Sequence, residues 1–213
     1  MTIRTKKAVL ADAVLFSSPR ERNFAREVSL VLGGALAVAL LARLEIRLPF
    51  SPVPITGQTL GVLLAGALLG SRRAFAAMLL YLASGLAGAP VFAGGGAGPA
   101  WILGPTGGYL AGFPAAAWTA GFLAERGWDR SWKTALPAMA AGNVVLYLFG
   151  LPWLAAFVGP SRAPLLGLYP FLAGDVVKIL LAGAVLPAGW KFLGKNPSED
   201  GETEEVSRGE EIP

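Results

Sequence analysis

The chain has 213 residues, 54% hydrophobic and only 15% charged, with a mean hydropathy of +0.56 and 18 Lys plus Arg against 14 Asp plus Glu. Soluble domains carry about 25% charged residues, so this composition indicates a polytopic membrane protein and disfavours a very apolar soluble helical protein. Cysteine and histidine are both absent, which excludes disulfides, Cys-based zinc sites, His-ligated haem and His general bases.

The charges are unevenly placed. No Asp or Glu occurs between Ile46 and Ala124, and Asp175 is the only acid between Arg130 and Ser198. Each gap accommodates several bilayer spans of about 20 residues. In chain order, residues 1–27 read as a cytoplasmic N-terminal segment. The run "AVLADAVLF" is too short to span and Asp12 interrupts it, so no cleavable signal peptide is expected. Residues 28–194 read as a six-helix transmembrane domain. The first span is expected over Val28–Leu48, stopping at Pro49 because "PFSPVPIT" carries three prolines. Its pairs Ala35/Ala39 and Gly33/Ala37 are four apart, a spacing that allows close helix approach, either within the protein or to another membrane subunit.

The second span is Gly57–Gly70, followed by the tight connection "SRR" and a third span over Ala74–Ala89. A Gly/Pro-rich loop, "PVFAGGGAGPAWIL", occupies residues 90–103. The fourth span starts at Pro105, a residue suited to the first helical position, and ends near Glu125. After the polar loop "RGWDRSWK" the fifth span covers Thr134–Gly150, with continuation to Val158 past a break at Pro152 as the alternative. The sixth is Leu168–Lys191. The acidic tail, 195–213, is expected to be disordered.

Six spans put both termini on one side. On that side the sequence places 14 basic residues: Arg4, Lys6, Lys7, Arg20, Arg22, Arg26, Arg72, Arg73, Arg126, Arg130, Lys133, Lys191, Lys195 and Arg208. The other side has only Arg43, Arg47 and Arg162. This asymmetry makes both termini cytoplasmic. The pI near 9.6 therefore reflects orientation in a cell membrane, with no nucleic-acid partner expected. No internal repeat is evident, which argues against an inverted-repeat transporter. Most of the six tryptophans fall near span ends and read as interfacial anchors, Trp101 alternatively as a cap over a ligand.

The sixth span contains the chemistry. In "LYPFLAGDVVKILLAGAVLP", Asp175 and Lys178 stand at i, i+3 on one helical face. Either charge costs roughly 2.5–3.5 kcal/mol at the bilayer centre on insertion scales. A polar site facing the bundle interior justifies them better than a packing pair does. Asn143 and Tyr147, at i, i+4, form a second polar stripe. Thr56 and Gln58 begin the second span behind a proline-fixed loop, Thr56 alternatively as an N-cap. In "GPTGGYLAG", Gly107 and Gly108 admit another backbone or a ligand, the helix start favours an anion, and Tyr109 offers a ring and a hydroxyl. Phe92 and Gly95, in the Gly-rich loop, complete the candidate ligand contacts. There is no G-x-x-x-x-G-K-[ST] motif, so no ATP site, and one intramembrane acid without histidine disfavours a hydrolase.

Four segments taken together, "PFSPVPITGQTLGVLLAGALLG", "GAPVFAGGGAGPAWILGPTGGYLAGF", "GNVVLYLFGLPWL" and "GDVVK", resemble the BioY family, the biotin-specific S components of energy-coupling factor transporters. The resemblance runs from Leu30 to Lys191. It implies a six-helix S-component fold that captures extracellular biotin as cargo, with no cofactor. It also implies a membrane coupling subunit and two cytoplasmic ATPase subunits as partners, with Ala35 and Ala39 docked on the coupling subunit while the S component topples in the bilayer. Asp175 and Lys178 become the leading ligand contacts. A carboxylate accepts a ureido N–H, and Lys178 donates to the ureido carbonyl or pairs with the valerate. Our reading places both at the ureido end and the valerate near the 90–103 loop, which carries no Arg or Lys, and the start of the fourth span. The alternatives are an S component for another small vitamin and a non-catalytic membrane scaffold.

Overall fold

The computed structural model describes residues 8–15 and 24–193. Arg4, Lys6, Lys7, Arg20, Arg22, Lys195, Arg208 and the acidic tail lie outside them. Among the described residues the chain is mostly helical: α1 Leu10–Leu15, α2 Phe24–Leu41, α3 Gln58–Leu69, α4 Ser71–Leu86, α5 Pro99–Leu103, α6 Gly107–Ala124, α7 Trp132–Val158, α8 Ala163–Gly167 and α9 Tyr169–Phe192. A two-residue antiparallel hairpin, β1 Glu45–Ile46 and β2 Ile55–Thr56, pairs Glu45 with Thr56 and Ile46 with Ile55. Among the described residues, three stretches are long and apolar enough to cross a membrane: Phe24–Leu41, Trp132–Val158 and Ala163–Phe192.

The first expected span differs most from the structure. It ends at Leu41 rather than Leu48, because residues 45–56 turn back as the hairpin. The return is fixed by Gly57, whose N–H bonds the Leu44 carbonyl at 2.9 Å and whose Cα lies so close to the Leu41 carbonyl that a Cβ would stand 2.6 Å from it. A pairing between segments ten residues apart overrides the local helical pattern. The fifth span differs the other way. α7 runs unbroken through Pro137 and Pro152. A proline inside a helix costs about 3 kcal/mol, and packing against α6, the most extensive helix pairing in the fold, offsets it.

The loops sort to two ends. At one, the hairpin end, Gly94 N–H donates to the Ala42 carbonyl, Arg43 donates to the Pro90 carbonyl at 2.7 Å, and Ser51 donates to the Leu166 carbonyl at 2.7 Å. At the other end, Glu125 accepts the Ser71 N–H at 2.9 Å and hydroxyl at 2.8 Å, satisfying the start of α4. There Arg73 pairs with Asp12 of α1 and Glu27 of α2, both at 2.6 Å. Trp190 donates to Asp129 at 2.7 Å and is buried, so it is an interior residue and not an interfacial anchor.

The core is built of small residues on α3, α4, α6 and α7, with alanines such as Ala74, Ala77, Ala116, Ala117 and Ala120 fully buried. Large apolar side chains face outward instead, including Leu32, Leu36 and Leu40 on α2 and Val176, Leu180 and Leu181 on α9. This inversion suits a lipid surround, where helices associate through close packing rather than through hydrophobic exclusion. Ala35 is buried and Ala39 half-buried, both packed into the core of α2, α3 and α4. Ala35 thus faces inward, while Ala39 keeps partial exposure. The small residues that α2 presents outward are Ala25, Ser29, Gly33 and Ala37.

Candidate functional site

The site is built on the inward face of α9. Phe171, Asp175, Ala182, Leu186 and Trp190 are buried, while Leu172, Val176, Val177, Leu180 and Leu181 are exposed. This is the 3.6-residue alternation of a helix with one face against protein. It turns Asp175 away from the apolar outer surface, with Lys178 less than one turn further on.

Asp175 is held from two helices. Its Oδ2 accepts from Asn143 Nδ2 at 3.0 Å and from the Tyr147 hydroxyl, both on α7. Its Oδ1 faces Lys178 Nζ at 3.4 Å, longer than the roughly 2.7–2.9 Å of a strong charge-assisted bond. Lys178 makes its shorter bond, 2.9 Å, to Thr59 Oγ1 on α3. A carboxylate offers about four acceptor sites and an ammonium three donors. The network therefore leaves one acceptor site on Asp175 Oδ1 and one N–H on Lys178, side by side. That pair complements a ligand edge bearing an N–H next to a C=O.

A second chain of hydrogen bonds fixes the Gly-rich loop above the site. Thr56 Oγ1 donates to Gln58 Oε1 at 3.0 Å, Gln58 Nε2 donates to the Tyr81 hydroxyl, and that hydroxyl donates to the Val91 carbonyl at 3.0 Å. Gln58 is buried, so this chain satisfies a group that would otherwise be costly in the membrane. Phe92 follows directly. Its ring packs on the bare Cα of Gly85, edge-on to Tyr81 at 5.6 Å and 6.3 Å from Trp101. Tyr109 donates to the Gly167 carbonyl at 2.7 Å and sets its ring edge-on to Tyr147.

These groups surround a cavity of about 60 Å³. Thr56, Gln58, Phe92, Tyr109, Asn143, Tyr147, Asp175 and Lys178 all line it. Gly95 does not. Its φ of +86° puts it at a left-handed turn under the Arg43 guanidinium, which is a loop-shaping position. Gly107 and Gly108 meet the Ile102 carbonyl and the Phe149 carbonyl with Trp153, so their small size serves backbone packing. Sequence reasoning did not select Thr59, Phe113 or Phe171, which also line the cavity. Thr59 offered a signal, as a hydroxyl beside Gln58 in an otherwise apolar helix. The two phenylalanines are indistinguishable in sequence from lipid-facing ones. At the hairpin end a second cavity of about 390 Å³ adjoins the first, and the two share Pro54, Trp101 and Thr106 as walls.

A model of the BioY family matches residues 7–195. The chain belongs to the BioY family. Among similar BioY proteins, a probable biotin transporter of Pyrococcus horikoshii is 46% identical over 159 residues, covering 74% of this chain and 92% of that protein. A biotin transporter of Rhizobium etli is 39% identical over 173 residues, covering 76% and 92%. In structure, the chain resembles a crystallised S-component for biotin from an ECF-type ABC transporter, with a TM-score of 0.71 and 28% identity, covering 78% of this chain and 92% of that one. BioY is a family of transporter components and not of enzymes.

Proposed function

We propose that this chain is the substrate-binding membrane subunit of a biotin transporter, capturing extracellular biotin for ATP-driven import by partner subunits. The observation that carries the reading is the pair of valences left open on Asp175 and Lys178. Biotin's ureido ring presents an N–H beside a carbonyl, which is the complementary edge. The apolar thiophane ring fits among Phe92, Phe113 and Phe171, and the valerate points toward the hairpin end. The biotin-named relatives and the biotin S-component neighbour support the same substrate.

In this reading the six helices of twelve residues or more, α2, α3, α4, α6, α7 and α9, each cross the cell membrane. Residues 28–194 form the vitamin-binding domain, the hairpin end faces outward, and both termini are cytoplasmic. The positive-inside asymmetry supports this sidedness. The partners are a membrane coupling subunit and two cytoplasmic ATPase subunits. We place docking on the Gly33–Ala37 face of α2, where Ala25, Ser29, Gly33 and Ala37 are exposed at four-residue spacing. Isothermal titration of the purified chain with biotin, thiamine and riboflavin tests the proposal. Saturable binding of biotin alone is expected, and tighter binding of either other vitamin would overturn the substrate assignment.

A further inference from the structure

We infer that Arg72 and Arg126 form a binding site for the headgroup of an anionic phospholipid, at the end of the bundle opposite the hairpin. The inference rests on the membrane orientation proposed above and not on the substrate. α4 and α6 pack against each other, and each carries an outward apolar stripe. On α4 the exposed residues are Phe75, Leu79 and Leu86; on α6 they are Ala111 and Trp118, with Phe122 half-buried. α4 starts and α6 ends at the same end of the bundle. There Arg72 stands one turn beyond Phe75 and Arg126 one turn beyond Phe122, both exposed. The outward stripes of two packed helices thus each end in an arginine.

The two arginines leave adjoining turns. Ser71, next to Arg72, donates its N–H and hydroxyl to Glu125, next to Arg126, at 2.9 and 2.8 Å. The backbones meet so closely there that a Cβ on Gly121 would stand 2.5 Å from the Ser71 nitrogen. Arg73, the following residue, is taken up by Asp12 and Glu27. Arg72 makes no hydrogen bond or ion pair among the described residues. Arg126 donates one N–H to the Phe122 carbonyl at 3.0 Å and lies over the Phe122 ring, its Cζ 3.2 Å from the centroid. Trp118 stacks on that ring at 4.8 Å. The cation–π contact holds the planar guanidinium in place, so little freedom is lost when its remaining N–H groups fork a phosphate. The exposed rings and leucines beside the arginines offer apolar surface to the acyl chains. A zwitterionic headgroup brings its own cation, whereas an anionic one keeps a net negative charge for the two arginines.

The test is native mass spectrometry of the full chain in detergent, with phosphatidylglycerol and phosphatidylcholine of identical acyl chains in competition. A basic residue near an anionic surface contributes about a fivefold gain, so the wild type should favour phosphatidylglycerol by roughly fivefold to thirtyfold. Arg72→Gln and Arg126→Gln should each lower that preference by about fivefold, and the double variant should bind both lipids alike. Arg162→Gln, which removes an exposed charge at the hairpin end, should leave the preference unchanged. If the double variant does not fold, the two single variants carry the comparison. Equal binding of the two lipids by the wild type, or a preference that survives loss of both arginines, would overturn the site. Excess soluble glycerol 3-phosphate should not displace the lipid; displacement would make this a site for free phosphate and overturn the lipid assignment. Biotin titration alongside separates the two readings: a wild type that prefers phosphatidylglycerol but binds no biotin would overturn the substrate and keep the lipid site.

Discussion

Lys178 donates to the hydroxyl of Thr59 at 2.9 Å, a residue 119 positions earlier on a different helix, and stands farther, at 3.4 Å, from its own helical neighbour Asp175. The ammonium is thus drawn off its i, i+3 partner and strung between α3 and α9. Asp175 in turn is held by α7. The charge pair is a three-helix junction, and the ligand edge it presents depends on all three helices being in place.

Asp175→Asn should abolish measurable biotin binding and lower thermal stability. It leaves Lys178 without a counter-charge in a buried position, a loss of the kind that costs about 3–5 kcal/mol. The double variant Asp175→Asn/Lys178→Met should regain most of the melting temperature without regaining binding. Thermal unfolding in detergent and titration of each variant check this, and a stable single variant that still binds would refute the role given to Asp175.

Tyr147→Phe removes one donor to Asp175 Oδ2 and leaves Asn143 in place. A hydrogen bond to a charged group contributes about 1.5–3 kcal/mol, so biotin affinity should fall by roughly tenfold to a hundredfold. The fold should survive, as judged by an unchanged elution profile. Unaltered affinity would mean that the carboxylate needs no second donor.

Tyr81→Phe cuts the chain from Gln58 to the Val91 carbonyl. The Gly-rich loop then loses its tether above the cavity. Stopped-flow measurement should show faster biotin dissociation with little change in the association rate. A slower association and constant dissociation would assign Tyr81 to the entry path instead.

Gly108→Val should prevent folding or strongly destabilise the protein. A Cβ at Gly108 would stand 2.6 Å from the Phe149 carbonyl on α7, a backbone atom that cannot move aside. A Cβ at Gly33, by contrast, meets nothing within 4 Å, so Gly33→Leu should leave stability and biotin binding unchanged. If the α2 face docks a coupling subunit, Gly33→Leu should nonetheless reduce co-purification with that subunit, and retention of the complex would exclude this face.

By itself the sequence determined the helices and the identity of the polar residues. Spans two, three, four and six fall within a few residues of α3, α4, α6 and α9, because apolar runs broken by Pro, Gly and charge are local properties. Asp175, Lys178, Asn143 and Gln58, which line the inner cavity, were legible as inward-facing polar residues because a polar group in such a run is too costly to leave in lipid. Tertiary structure decided what depends on contacts between distant segments. It shortened α2 in favour of the hairpin, turned Ala35 inward, removed Gly95 from the cavity wall and brought Thr59 to Lys178. In each case the deciding interaction joins residues on different elements, and no local pattern encodes which face of a helix its neighbours will cover.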